Sequence, residues 1–186
     1  EIFCVGKGEI TPQDLQDYQI QECKHTLRLL GVFIGKSVDK CADENWNKLV
    51  NKIQKCLFLW QQRKLTIQGR ATVIKTLMMS RLWYIISVQT MPEKFIVIFK
   101  RMFLNFLWKG GAHLISYKTV ISDITDGGLQ LPDIFSKMLA FRLKFVNKFL
   151  DDNCYAFWKQ TCNYFFKQVG NFGFSKELLF LELNKK

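Results

Sequence analysis

The sequence is short of acidic residues over one third of its length. Between residues 46 and 109 the only acid is Glu93, against twelve lysines and arginines, so this stretch carries a net charge equal to the +11 of the whole chain. Ordinary solvated helix faces mix both signs of charge. A positive surplus confined to one stretch therefore indicates a polyanionic partner, and RNA, DNA or an RNA:DNA hybrid fits that description.

The groups that catalysis and metal binding require are also missing. The six cysteines form no C-x-x-C pair, and the two histidines have no partner at metal or acid–base spacing. No glycine-rich stretch has the form that cradles phosphates, and no paired carboxylates suit a two-metal reaction. We therefore expect no catalytic residue, no metal site and no cofactor in this chain.

Long apolar runs are absent as well. The longest, residues 82–88, is too short to span a bilayer, so we predict no membrane partner. Apolar residues nevertheless make up 48% of the chain and phenylalanine occurs 17 times, which excludes a disordered basic tail. The chain is long enough to bury a substantial core.

The basic stretch has a helical pattern. Its first apolar stripe, from Trp46 to Trp60, repeats every three to four residues and predicts a helix that begins near Trp46 with Asp43 as its N-cap. Residues 71–88 predict a second, buried helix after Thr66 as N-cap, and a third helix is predicted from Pro92 to residue 108. Three helices that are apolar inside and basic outside make a small bundle.

The rest of the chain predicts a mostly α fold with a little β structure. Residues 27–35 predict a hairpin that turns near Gly31, and residues 2–5 a short strand. Residues 116–121 fit a short helix or a strand before a turn at residues 126–128, so a second short hairpin near 114–131 stays open. Residues 133–150 and 154–169 predict two further helices.

The predicted nucleic-acid contacts are the basic residues of the first two helices and of the turn between them. They are Lys48, Lys52, Lys55, Arg63, Lys64, Arg70, Lys75 and Arg81. The first three repeat at helical spacing opposite the apolar stripe, where each could neutralise a phosphate. Trp46 and Trp60 lie on the stripe itself, so we interpret both as core residues and not as base-stacking groups.

A series of motifs resembles the end of the reverse transcriptase domain, and the region after it, of non-LTR (LINE-type) retrotransposon polyproteins. EIFCVGKG at residues 1–8 resembles the close of a palm strand, and LLGVFIG at residues 29–35 resembles the primer-grip hairpin. The spacing of Trp46, Leu57, Trp60, Arg63, Leu65 and Gly69-Arg70 is similar to the thumb. Pro92, FLW at 106–108, GGL at 127–129 and Pro132 are similar to the segment beyond it.

The resemblance implies a domain organisation and a role. Residues 1–40 would end the palm, with Leu30 and Gly31 in the primer grip; residues 41–111 would form the thumb, and residues 112–186 a truncated post-thumb region. Such a thumb grips the template–primer duplex. The resemblance implies that the family's catalytic Asp-Asp element, which binds Mg²⁺, precedes residue 1. The pair Asp151-Asp152 lies between two predicted helices, and we interpret it as solvated caps, so we expect a fragment without polymerase activity of its own. The partners implied are nucleic acid and the rest of the polyprotein, in a ribonucleoprotein of the nucleus and cytoplasm.

Two alternatives remain at this point. One is a stand-alone nucleic-acid-binding relic of such an element. The other is a helical protein-interaction domain whose basic face meets an acidic partner. Steep salt dependence of binding to an RNA:DNA hybrid would favour a nucleic-acid role, whereas tight binding to an acidic protein alone would favour the last.

Overall fold

The computed structural model describes residues 11–17 and 26–168, and the strand predicted at residues 2–5 lies outside them. The chain divides into two compact units, Glu1–Met138 and Leu139–Lys186. The domain boundaries predicted at residues 40 and 111 stay a prediction.

The fold is mostly helical, as predicted, with one small antiparallel hairpin. The helices of the first unit are α1 (Pro12–Asp17), α2 (Val38–Gln61), α3 (Ile67–Val73), α4 (Met79–Val88), α5 (Glu93–Leu107) and α6 (Tyr117–Ile121). A π-helical turn, Ile74–Met78, joins α3 directly to α4. Helix α7 (Ile134–Leu150) and helix α8 (Trp158–Gln168) follow.

The hairpin has the tight turn that the sequence predicts. Strands β1 (Thr26–Leu29) and β2 (Val32–Gly35) pair with Leu29 opposite Val32 across a two-residue turn. Both turn residues, Leu30 and Gly31, have positive φ angles of 48° and 87°. A two-residue turn with positive φ at both positions matches the twist of the flanking strands, and glycine adopts this conformation without strain.

Helix α2 begins earlier than the sequence predicts. Its N-cap is Ser37, so the predicted start near Trp46 and the predicted cap Asp43 are wrong. Asp43 instead lies within the helix and forms an ion pair with Lys94 of α5, at 2.7 Å between Nζ and Oδ1. The predicted cap of α3 is confirmed, because the Thr66 hydroxyl accepts a hydrogen bond from Gly69 N at 3.1 Å.

The core of the first unit lies between α2, α4 and α5. Trp46, Ile53, Leu82, Ile86 and Phe99 are completely buried in it. These residues occupy the helix positions that the apolar periodicity marks, so the amphipathic pattern accounts for the bundle.

Residues 114–131 contain a helix and not a second hairpin. Ser116 caps α6 through its hydroxyl, which accepts from Thr119 N, and a 3₁₀ turn, Ile124–Asp126, follows. The chain then returns beside α6, and Leu129 N and Leu131 N both donate to Val120 O. A Cβ atom at Gly128 would lie 2.1 Å from Ser122 O, so the return depends on glycine there. The side-chain caps Ser116 and Asp123 favour helical turns here, because each accepts a hydrogen bond from an N–H group at the start of its turn.

The second unit is held by aromatic contacts. The ring of Trp158 in α8 lies 4.4 Å from Phe145 and 6.2 Å from Phe149, both on α7. Helix α8 begins at Trp158, four residues after the predicted start at residue 154. Tyr155 and Phe157 therefore precede the helix, and both are exposed.

Candidate nucleic-acid interface

A cleft of about 410 Å³ separates the hairpin from α2. Its basic lining residues are Arg28 of β1 and Lys48, Lys52 and Lys55 of α2. Gly31 of the hairpin turn lines the same cleft, so the structure brings three predicted lysines together with one of the two primer-grip residues. We call this surface the basic cleft.

Asn45 holds the hairpin against α2 and so shapes the basic cleft. Its side chain is 97% buried; Oδ1 accepts from Phe33 N at 2.8 Å, and Nδ2 donates to Phe33 O at 2.9 Å. In an antiparallel hairpin the peptide groups of every second residue face away from the partner strand. Phe33 lies opposite Arg28, next to the pair that flanks the turn, and the Asn45 amide pairs its outward-facing groups as a neighbouring strand would.

The same amide also reaches the bundle. Asn45 Nδ2 donates to Gln89 Oε1 at 3.0 Å, just after the end of α4. The Tyr84 hydroxyl of α4 donates to Leu30 O in the hairpin turn. The hairpin is thus fixed by α2 and α4 together. Leu30, the other predicted primer-grip residue, is the exposed tip of the turn, with 82% of its surface accessible.

The three cleft lysines differ in their surroundings. Lys48 Nζ lies 3.7 Å from the centroid of the Phe33 ring and 3.4 Å from Glu44 Oε1. The ring face attracts the ammonium group, and this contact fixes Lys48 against the hairpin. Lys52 and Lys55 are exposed one and two turns farther along α2. Their ammonium groups therefore face solvent above the basic cleft.

Two predicted residues lie in the turn that follows α2. Arg63 stacks on Trp60, with its guanidinium carbon 4.6 Å from the ring centroid, and Lys64 is exposed beside it. Trp60 is only half-buried, so the prediction that it is a core residue is wrong. It is the last member of the apolar stripe, beyond the buried Leu57, and its ring packs against the Arg63 guanidinium.

Arg70 departs most from the predicted surface role. It is half-buried in α3, and its Nε and Nη1 atoms are buried without a hydrogen-bond partner among the described residues. A buried guanidinium normally pairs with a carboxylate, carbonyl or phosphate oxygen. Arg70 is therefore not one of a row of solvated cations.

Lys75 and Arg81 lie apart from each other. Lys75, in the π-helical turn, lines a separate cavity of about 280 Å³ against the returning segment at Gly128 and Leu129. Arg81 is exposed on α4, one turn before Tyr84, which contacts the hairpin tip. The eight predicted residues therefore form one cluster of three in the basic cleft and five residues elsewhere on the bundle.

Arg28, Phe33 and Asn45 also belong to this surface, although none of them was predicted from the sequence. Arg28 could have been found, because it is the one cation in the predicted hairpin. Asn45 could not, since its partners lie 12 and 44 residues away along the chain.

Among residues 11–17 and 26–168, no group of three His, Cys, Asp or Glu side chains is placed to hold a metal ion. In the same part of the chain, no helix is both long and apolar enough to cross a membrane.

Comparison with known proteins finds one similarity that spans most of the chain. The chain is 27% identical over 158 residues to the Transposon TX1 uncharacterized 149 kDa protein of Xenopus laevis. The match covers 84% of this chain and 12% of that protein, so the chain spans a small part of its curated relative. No family model matches the chain. The similarity supports an origin in a retrotransposon, which is the coarser part of the resemblance described above.

Proposed function

We propose that this chain is the nucleic-acid-binding thumb and post-thumb part of a retrotransposon reverse transcriptase. In this proposal the basic cleft grips the backbone of a template–primer hybrid or of the element's RNA. The chain acts together with the rest of the polyprotein, in a ribonucleoprotein of the nucleus and cytoplasm. The carboxylates and Mg²⁺ for nucleotide addition would come from the palm, and this chain contributes grip and position.

The observation that carries the proposal is the composition of the basic cleft. Lys48, Lys52 and Lys55 line it together with Arg28 and the hairpin turn at Gly31. Four cations around one concave surface, with Glu44 as the acid paired to one of them, suit a chain of phosphates. Contacts of this kind fix the position of a duplex without reading its bases, as a polymerase requires.

The similarity to a transposon protein supports the retrotransposon origin in this proposal. It covers 84% of the chain. A transposon-derived chain with a net charge of +11 over residues 46–109 has a ready polyanionic partner in the element's own RNA or in its DNA copy.

The test is the salt dependence of binding to an RNA:DNA hybrid. If each of the three lysines neutralises one phosphate, replacing Lys48, Lys52 and Lys55 with glutamine lowers the slope of log affinity against log salt by about 2 to 3. The loss is expected to be the same for hybrids of different sequence, because phosphates carry no base identity. Fluorescence anisotropy titrations at four or five salt concentrations measure both quantities.

The matched control replaces three exposed lysines of α7 and α8 with glutamine, Lys144, Lys148 and Lys167. It makes the same change of net charge, so a general electrostatic effect would appear in both triple variants. We expect the control to keep the wild-type slope. A control slope that falls as far as that of the cleft variant would show that the basic cleft is not the contact. Binding to an acidic protein without any binding to nucleic acid would favour the protein-interaction alternative.

A further inference from the structure

Two large apolar side chains are exposed near the end of α2. Phe58 and Leu59 each have 63% of their surface accessible. Phe58 borders a shallow cavity of about 620 Å³, whose lining also includes Asn51, Gln54 and Lys55. On its other side Phe58 borders a second cavity of about 220 Å³, which extends to α5. An aromatic ring between two open cavities has room for a flat group against its face.

Lys55 connects this apolar surface to the basic cleft. It lines both the basic cleft and the larger of the two cavities beside Phe58. Side chains three and four residues apart are neighbours on a helix, so Phe58 and Leu59 directly follow Lys55. Lys48 precedes Lys55 by seven residues, or about 10 Å along the helix axis. The row of cations therefore leads to the exposed ring.

We propose that Phe58 is a stacking platform for an unpaired base, so that a single-stranded end of the bound nucleic acid continues from the basic cleft along α2. This inference rests on the proposed function. It adds that the end of the basic cleft beside Phe58 binds single-stranded nucleic acid. Every base has a π face, so an exposed phenylalanine accepts bases of any sequence. The neighbouring lysines neutralise the phosphates of the same strand. Phe58 and Lys55 thus match the two chemical parts of a nucleotide.

Charge complementarity favours a nucleic acid over a protein partner at this surface. An exposed apolar pair by itself would suit either one. Lys55 adjoins the pair, however, and Glu93 is the only acid between residues 46 and 109. A polyanion with flat apolar groups satisfies the lysine and the ring together.

The experiment compares the full chain with its Phe58→Leu variant on two 20-nucleotide DNA strands. One strand is oligo(dT), and the other is an abasic strand with the same phosphates. Leucine keeps the apolar volume without the ring, so the fold is preserved; an unchanged melting temperature checks this. We expect the variant to bind oligo(dT) about 5- to 150-fold more weakly, as the loss of one stacked base requires. Binding to the abasic strand and the salt slope are expected not to change.

Two further variants sharpen the result. Phe58→Trp is expected to retain the wild-type affinity for oligo(dT), because its ring can stack. Tyr155→Ala is the matched control, since Tyr155 is a 98% exposed aromatic residue outside the bundle, and it is expected to bind both strands as the wild type does.

Three outcomes would overturn the inference. They are equal losses on the two strands, no loss on oligo(dT), and a drop in self-association by sedimentation without a base-dependent loss, which would assign Phe58 to a protein contact. The proposed function fails separately, if the salt slope of binding is the same for the wild-type chain and for the triple variant of Lys48, Lys52 and Lys55 on both nucleic acids. A normal slope with a silent Phe58→Leu variant would remove only the stacking platform.

Discussion

At the scale of single residues, Trp46 lies at the centre of the first unit. It is completely buried, its indole N–H donates to Thr90 O at 3.3 Å, and its ring centroid lies 6.2 Å from Phe95 and 6.4 Å from Phe99. Large aromatic side chains in such positions supply much of the apolar area that a core buries. Trp46 therefore links the start of α2 to α5 and to the segment between α4 and α5.

Replacing Trp46 with alanine is expected to lower the free energy of unfolding by about 3 to 5 kcal/mol, because it leaves a cavity and removes the hydrogen bond to Thr90 O. Trp60→Ala is the comparison, and we expect a loss of about 1 kcal/mol, since Trp60 is half-buried and its main contact is with the Arg63 guanidinium. Urea unfolding monitored by circular dichroism measures both. Equal losses in the two variants would contradict the burial described here.

These two tryptophans also show what periodicity can predict. The repeat of three to four residues correctly places Trp46, Ile53 and Leu57 on the buried face of α2. It also assigns Trp60 to that face, because the pattern records direction around the helix and not where the neighbouring helices end. Arg70 was predicted to be a surface contact because its residue type indicates charge, but residue type does not show how deeply a side chain is buried.

At the scale of elements, one carboxylate joins α5, α6 and the start of α7. Asp133 Oδ2 accepts from Ser136 N and from the Ser136 hydroxyl, both at 2.9 Å, and Oδ1 accepts from the Tyr117 hydroxyl at 3.0 Å. Lys100 Nζ of α5 lies 3.4 Å from Oδ1. Burial works to raise the pKa of Asp133, but the hydrogen bonds and the Lys100 charge outweigh it and hold that pKa below its usual value. Burial and the Asp133 charge raise the pKa of Tyr117.

The lowered pKa of Asp133 predicts a stability that depends on pH. A group whose pKa is lower in the folded state stabilises the fold above its unfolded pKa, about 3.9 for aspartate, and loses that contribution as pH falls through the folded value. Asp133→Asn is expected to cost about 1 to 3 kcal/mol near pH 7, because charged hydrogen bonds are lost. The loss should shrink as the pH falls below 4.

Thermal unfolding at a series of pH values checks this prediction. The control is Asp126→Asn, because Asp126 lies in the exposed 3₁₀ turn, and its melting temperature should follow that of the wild type at every pH. A cost of Asp133→Asn that stays constant down to pH 2.5 would mean that the charge of Asp133 does not stabilise this junction.

The helix α6 shows why short elements are difficult to predict. Its sequence, Tyr117–Ile121, satisfies both a helical and an extended pattern over five residues. The outcome is decided by the cap at Ser116 and by the close approach at Gly128, which become visible only when the returning chain is in place. The hairpin of β1 and β2 was predictable, by contrast, because its turn signal lies within the element.

At the scale of the whole molecule, the sequence predicts the helical fold and the position of its positive charge. It does not predict that the hairpin and α2 together form a cleft, because that depends on a side chain, Asn45, which pairs with distant backbone. Charge counted along residues 46–109 treats all twelve cations as equal. The structure places Lys48, Lys52 and Lys55 in the basic cleft, where Lys48 pairs with Glu44, whereas Arg70 is half-buried and Lys94 and Lys100 pair with carboxylates elsewhere.

The chain by itself is expected to extend no primer. The predicted role is grip, and the resemblance to retrotransposon polyproteins implies that the carboxylates that hold two metal ions in nucleotide addition belong to the palm. The assay combines the purified chain, an RNA template with a DNA primer, deoxynucleotides and Mg²⁺. Extension by a homogeneous preparation, removed by EDTA, would contradict this prediction, and an active reverse transcriptase in the same buffer is the positive control.

The pairing of Asn45 with both Phe33 and Gln89 ties the hairpin to the segment after α4 through one side chain. Its partners lie 12 and 44 residues away, so all its hydrogen bonds form only when the hairpin, α2 and the end of α4 are in place. The Phe33 amide proton is held by Asn45 and not by β1. We therefore expect its hydrogen exchange to require release of the hairpin from Asn45, whereas amides paired within the hairpin also exchange when the hairpin frays.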